Sequence, residues 1–74
     1  MNHQQETTQA NYDFIRAYYR ENRKSPSIRE IASACYVSVG TVFRHLDRLE
    51  MTGYIEREPN QARSIVLLKE EDNS

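Results

Sequence analysis

The apolar positions of this chain keep helical spacing through three segments and then change period. From Thr8 onward, Phe14, Ile15, Tyr18 and Tyr19 recur at three- and four-residue intervals, which gathers them on one stripe of a helix. Thr8 stands where an N-cap is needed, because its hydroxyl oxygen can accept a backbone N–H of the first turn. The pattern fades near Glu21-Asn22, ahead of Arg23-Lys24-Ser25-Pro26-Ser27. Pro26 pushes Ser25 towards extended backbone. Ser27, with Glu30 three residues on, is the sequence of a capping box. Ile28, Ile31, Ala32 and Cys35 then line one face of a short second helix, which Tyr36-Val37-Ser38 interrupts. Ser38 is the next N-cap. Val42, Leu46 and Leu49 repeat at helical spacing to about Thr52, and Gly53 suits the positive φ that often follows a helix end.

Beyond Gly53 the pattern becomes strand-like. Tyr54-Ile55-Glu56-Arg57 predicts a strand, Glu58-Pro59-Asn60-Gln61 carries turn chemistry, and Arg63 to Leu68 is rich in β-branched residues, so the two runs predict a hairpin. The expected fold class is α+β, mainly α: three helices in a helix-turn-helix arrangement followed by a C-terminal β-hairpin. Residues 1–7 read as a disordered lead, 8–68 as one domain and 69–74 as an acidic polar tail.

Composition narrows the functions. Seventy-four residues make one small domain. No apolar run approaches the roughly 20 residues that span a bilayer, and the first residues have neither the basic flank nor the apolar stretch of a signal peptide. The single cysteine, Cys35, excludes an intrachain disulfide, and with only two histidines no zinc site is expected. A reducing, cytoplasmic setting fits. No nucleophile–base pair, paired carboxylates, phosphate loop or metal cluster is visible, so neither an enzyme nor a cofactor is expected. Nor is a small-molecule ligand, since so short a chain has little room for a pocket beside its core. The formal net charge of −1 exerts no global pull on nucleic acid. Charge position matters more. Between Arg23 and Arg63, seven basic residues (Arg23, Lys24, Arg29, Arg44, Arg48, Arg57, Arg63) stand against five acidic ones (Glu30, Asp47, Glu50, Glu56, Glu58), whereas the tail sets Lys69 against Glu70, Glu71 and Asp72.

The stretch Ser27 to Leu49 follows the logic of a helix-turn-helix. Ala32 is small where two crossing helices approach, Val37 can plug the corner, and Val42 and Leu46 face the core. The third helix then projects Val39, Gly40, Thr41, Phe43, Arg44, Asp47 and Arg48 outward, on a rod whose diameter fits the major groove of B-DNA.

These segments, Ser27-Ile-Arg-Glu-Ile-Ala and Val37-Ser-Val-Gly-Thr-Val-Phe-Arg-His-Leu-Asp-Arg-Leu-Glu-Met-Thr-Gly-Tyr-Ile, resemble the winged helix-turn-helix of bacterial transcription regulators, and most closely the N-terminal DNA-binding domain of LexA-type repressors. Asp13-Phe14-Ile15-Arg16 is similar to that family's first helix, the proline entry Ser25-Pro26-Ser27 to the start of its second helix, and Gly53 to Leu68 to its wing. The resemblance implies a sequence-selective, double-stranded DNA-binding transcriptional regulator of bacterial or phage type, a repressor being the expected sense. It implies contacts from Ser38, Thr41, Arg44, His45 and Arg48 on the third helix. It also implies phosphate contacts from Ser27 and Arg29 at the start of the second, where the helix dipole favours anions. From the wing, Arg57, Asn60, Gln61 and Arg63 would flank adjacent backbone or the minor groove. A homodimer on DNA is a further expectation. The pattern departs from the family at Tyr36, where helix-turn-helix sequences often place glycine, and in a turn shorter than in the best-known members and more like that of GntR-type regulators. The family's C-terminal protease and dimerisation domain has no counterpart in these residues, so self-cleavage is not carried over.

Several residues admit two readings. The third helix could be an ordinary solvated surface helix. Arg44 can take guanine O6 and N7 in a bidentate manner or pair with Asp47; Arg48 fits phosphate. Thr41 suits a thymine methyl, a phosphate or the cap, and Gly40 reads as a harmless first-turn glycine or a point of close DNA approach. His45 reads as half-buried or a phosphate contact, and Cys35 as a core residue. Phe43 is either packed against the wing or the second helix, or set for thymine methyls or a protein. A winged-helix protein-interaction module without direct DNA binding is thus the alternative from another functional class.

Overall fold

A computed structural model describes residues 7–58 and 63–68. The order is α1 (Thr8–Asn22), α2 (Ile28–Cys35), α3 (Val39–Met51), β1 (Ile55–Glu56) and β2 (Val66–Leu67). Residues 1–6 of the expected lead, residues 59–61 of the expected turn with residue 62, and the expected tail 69–74 lie outside the described residues.

Side-chain caps set where the helices begin. Ser27 accepts the Glu30 N–H at 3.1 Å while the Glu30 carboxylate accepts the Ser27 N–H at 2.9 Å, the reciprocal capping box. Ser38 accepts the Thr41 N–H at 3.1 Å and starts α3. At α1 the cap is Thr7, not Thr8. Thr7 keeps an extended backbone and its hydroxyl accepts the Ala10 N–H at 3.0 Å. Thr8 is already helical, which frees its hydroxyl for a distant partner. Only the residue outside the first turn can aim its side chain back at the orphan N–H groups.

The helix ends differ in cost. Beyond α3, Gly53 sits at φ 85°, with its N–H on Glu50 O and the Tyr54 N–H on Leu49 O. This is a Schellman closure in which glycine avoids the Cβ clash. Arg23 and Tyr36 close α1 and α2 at φ 59° with their side chains present. The turn after α2 therefore keeps its left-handed residue, and tyrosine occupies it. The N–H groups of Tyr36 and Val37 both reach Ala32 O, which holds the corner in place.

The core is shared by all three helices and the hairpin: Tyr12, Ile15, Ile31, Ala32, Cys35, Val42, Leu46, Leu49, Ile55 and Ile65 are buried. The inward faces of α2 and α3 match their periodicity, with Val37 packed at the corner. On α1 the buried stripe is centred on Asn11, Tyr12 and Ile15, and Tyr18 lies at its edge. The ring of Tyr12 meets that of Tyr54 edge-on at 5.3 Å between centroids, tying α1 to the chain leaving α3. Burial pushes the Cys35 thiol up, away from the reactive thiolate.

The hairpin is antiparallel with Ile55 opposite Leu67 and Glu56 opposite Val66, and its strands are shorter than the apolar runs predict. The physical reason is competition for Ile65. Its N–H goes to Ser25 Oγ at 3.1 Å and its carbonyl accepts from the Tyr19 phenol. Ile65, the residue before Val66, is thus fastened to the helical body rather than paired with β1. No helix among the described residues is long and apolar enough to cross a membrane.

Candidate nucleic-acid interface

The packing of Val42, Leu46 and Leu49 inward fixes the rotation of α3, and the opposite side faces solvent. Val39, Gly40, Phe43, Arg44, Asp47 and Arg48 are exposed there and Thr41 is half-buried. The hairpin meets this face at Asp47, through Arg57, and among the described residues Val39, Phe43, Arg44 and Arg48 stay exposed. Beside it, an open groove lined by Arg29, Ala32, Ser33, Val37, Ser38 and Val39 runs between α2 and the start of α3.

The arginines divide into two groups. Arg29, Arg44 and Arg48 are exposed, and none of them forms an ion pair among the described residues. They can exchange water for phosphate or a base edge without breaking an ion pair among the described residues. Arg57 and Arg63 are already engaged. Arg57 folds back onto α3, where Nη2 lies 2.5 Å from Asp47 Oδ1 and 2.8 Å from Glu50 Oε1, with Nε also donating to Glu50. Arg63 spans to α2 and donates to both oxygens of Glu30 at 2.9 and 3.0 Å, to Ser25 O at 3.0 Å and to the Tyr18 phenol at 3.2 Å. The Arg63 hydrogen bonds, followed by the Ser27 N–H, hold the Glu30 carboxyl down at about 2. The same partnership raises the Arg63 guanidinium above its ordinary value.

Other candidates have local duties. Ser27 and Ser38 are caps, and the Ser38 hydroxyl also donates to Thr41 Oγ1 at 3.0 Å. His45 is half-buried and its Nδ1 is 2.7 Å from the Thr8 hydroxyl, so its ring joins α3 to α1. Asn60 and Gln61 lie outside the described residues. Residue periodicity does not single out Ser25, Tyr18, Tyr19 or Glu30 as anchors of the hairpin. Each partner of Ile65 or Arg63 is more than thirty residues away in sequence, beyond the reach of any local pattern.

A short second helix, a three-residue corner, a third helix with a bare outer face and a hairpin at its flank define a winged helix-turn-helix protein. Residues 3–64 match the family described as the LexA DNA binding domain, and the chain belongs to it. It is 46% identical over 65 residues to the LexA repressor of Brevibacillus brevis, covering 86% of this chain and 31% of that protein. It is 47% identical over 60 residues to the LexA repressor of Bacillus cytotoxicus (80% and 29%), and 42% identical over 66 residues to that of Clostridium tetani (88% and 33%). The chain therefore spans about a third of the length of these relatives.

Proposed function

We propose that this chain binds double-stranded DNA with sequence selectivity and regulates transcription, as a repressor. The observation that carries the reading is the outer face of α3. Among the described residues it is exposed, and it is bordered by three arginines that have no carboxylate partner there. Membership of a family described as a DNA binding domain and likeness to proteins named repressors support it. In this reading α3 enters the major groove and Arg44 takes a base edge. Arg48 meets phosphate, as does Arg29 beside the groove between α2 and α3, with Ser27, Ser38 and Thr41 at the helix starts. The wing, with Asn60 and Gln61, follows the adjacent backbone. A single module of this size covers only about 600–1,000 Å² on DNA, so two copies on half-sites about 10 bp apart would supply useful selectivity.

The test is selection of bound sites from random duplexes at two salt concentrations. Contact with about four to six phosphates gives a slope of about −4 to −5 for log K against log[salt]. Arg44→Ala lowers specific affinity by about 1–3 kcal/mol and relaxes one base position. Arg48→Ala weakens all duplexes alike. Binding indifferent to salt and to Arg44 would replace this reading with that of a protein-interaction module.

A further inference from the structure

We infer that Val39 and Phe43 form an apolar ridge that reads thymine 5-methyl groups, so that this chain selects thymine at defined positions of its site. The inference rests on the DNA-binding reading above. Every apolar residue on the inner side of α3 is fully or nearly buried, yet Val39 is 40% and Phe43 45% exposed. They lie four residues apart, hence one above the other on the same face. Among the described residues, nothing buries Phe43 fully.

The surroundings commit the ridge to one occupant. Arg44 adjoins Phe43 in sequence, Arg48 lies one turn beyond Arg44, and Arg29 borders the groove that reaches Val39. These arginines have no carboxylate partners among the described residues. Asp47, one turn beyond Phe43, is paired with Arg57, so an apolar strip bordered by Arg44, Arg48 and Arg29 complements a polyanion that carries apolar groups inside its groove. In the major groove of DNA the apolar group on a base edge is the thymine methyl. Gly40 lies on the flank of the two ridge residues, and a Cβ there would come within 3.9 Å of Ser38 Oγ. The ridge therefore has nearly open space beside it at Gly40, where a base edge can approach. Arginine supplies hydrogen bonds to guanine in the same groove, so polar and apolar readout share one helix face.

The strongest duplex from the selection, remade with 2′-deoxyuridine at each thymidine in turn, tests the inference by removing one methyl and no hydrogen bond. One or two positions should weaken binding of the 74-residue chain by about fourfold each, the worth of one buried methyl. In Phe43→Ala or Val39→Ala the same replacement should have no further effect at the position that residue covers. The deoxyuridine arm uses the unaltered chain, so it does not depend on how a variant folds. Salt-dependent duplex binding that tolerates deoxyuridine everywhere overturns the methyl readout alone and leaves the ridge to a protein partner. Equal losses in the chain and in both variants also overturn it. Absence of any duplex binding overturns this inference and the regulator reading together.

Discussion

Arg63 of the wing and Glu30 of α2 form a two-pronged ion pair, with nitrogen–oxygen distances of 2.9 and 3.0 Å, across 33 residues of sequence. Glu30 is also the third-position residue of the α2 capping box. One carboxylate therefore both starts the helix and holds the wing beside it.

That dual role predicts a pH dependence. The folded state keeps the Glu30 carboxyl at about 2 against an ordinary 4.5, first through the Arg63 hydrogen bonds and then through the Ser27 N–H. The stabilisation is full above about pH 4.5 and is lost as pH falls towards 2, because the unfolded chain takes up the proton first. Glu30→Gln keeps an oxygen for the Ser27 N–H but removes the charge. Urea unfolding at several pH values should show the chain more stable than Glu30→Gln at neutral pH, with the gap closing between about pH 4.5 and 2. A gap constant across that range would mean that the charge of Glu30 does not matter to the fold.

Arg57 neutralises two carboxylates on the side of α3 that faces the wing. Asp47→Asn leaves Arg57 its two bonds to Glu50 and removes one negative charge near the DNA. Stability should change by less than about 1 kcal/mol, as for exposed pairs in general. Affinity for every duplex should rise at low salt, and the gain should shrink as screening increases. Arg57→Gln should do the opposite by uncovering Asp47 and Glu50. Fluorescence anisotropy at two salt concentrations separates the outcomes.

Gly40 lies in the first turn of α3, where an added methyl enters nearly open space. Gly40→Ala should raise the stability of the free chain by up to about 1 kcal/mol, the helix preference of alanine over glycine. It should also weaken duplex binding severalfold, because the same methyl takes up the space through which a base edge would approach the ridge. Calorimetry and a binding titration measure the two effects separately. Unchanged affinity would make Gly40 an ordinary surface glycine.

Tyr36 ends α2 in the left-handed region at φ 59°, and the residue is 73% exposed. The ring gains little from burial while its Cβ strains the turn, a cost of about 1–2 kcal/mol that glycine partly returns through its freer unfolded chain. Tyr36→Gly should therefore stabilise the protein by about 0.5–1 kcal/mol and raise Tm by about 3–6 °C. A fall in Tm would show that the exposed ring makes up for the strain.

The helical part of this protein was legible in its sequence because the signals are local. A cap acts over three residues, as at Ser27 and Ser38, and an amphipathic face repeats every three or four, as at Val42, Leu46 and Leu49. The choice between Thr7 and Thr8 as a cap was less legible. Neighbouring threonines present the same chemistry, and only the backbone path decides which one lies outside the helix.

By itself, the sequence determined the three helices, the positive φ at Gly53 and the outward side of α3, through interactions that span one or two turns. Tertiary structure alone decided which arginines are committed. Arg63 and Arg57 read as cations equal to Arg29, Arg44 and Arg48 until folding brings Glu30, Asp47 and Glu50 within bonding distance of the first two. It also shortened the hairpin, because Ile65 meets Ser25 and Tyr19 across forty or more residues. Contacts of that separation depend on how the helices pack, and no periodicity along the chain encodes them.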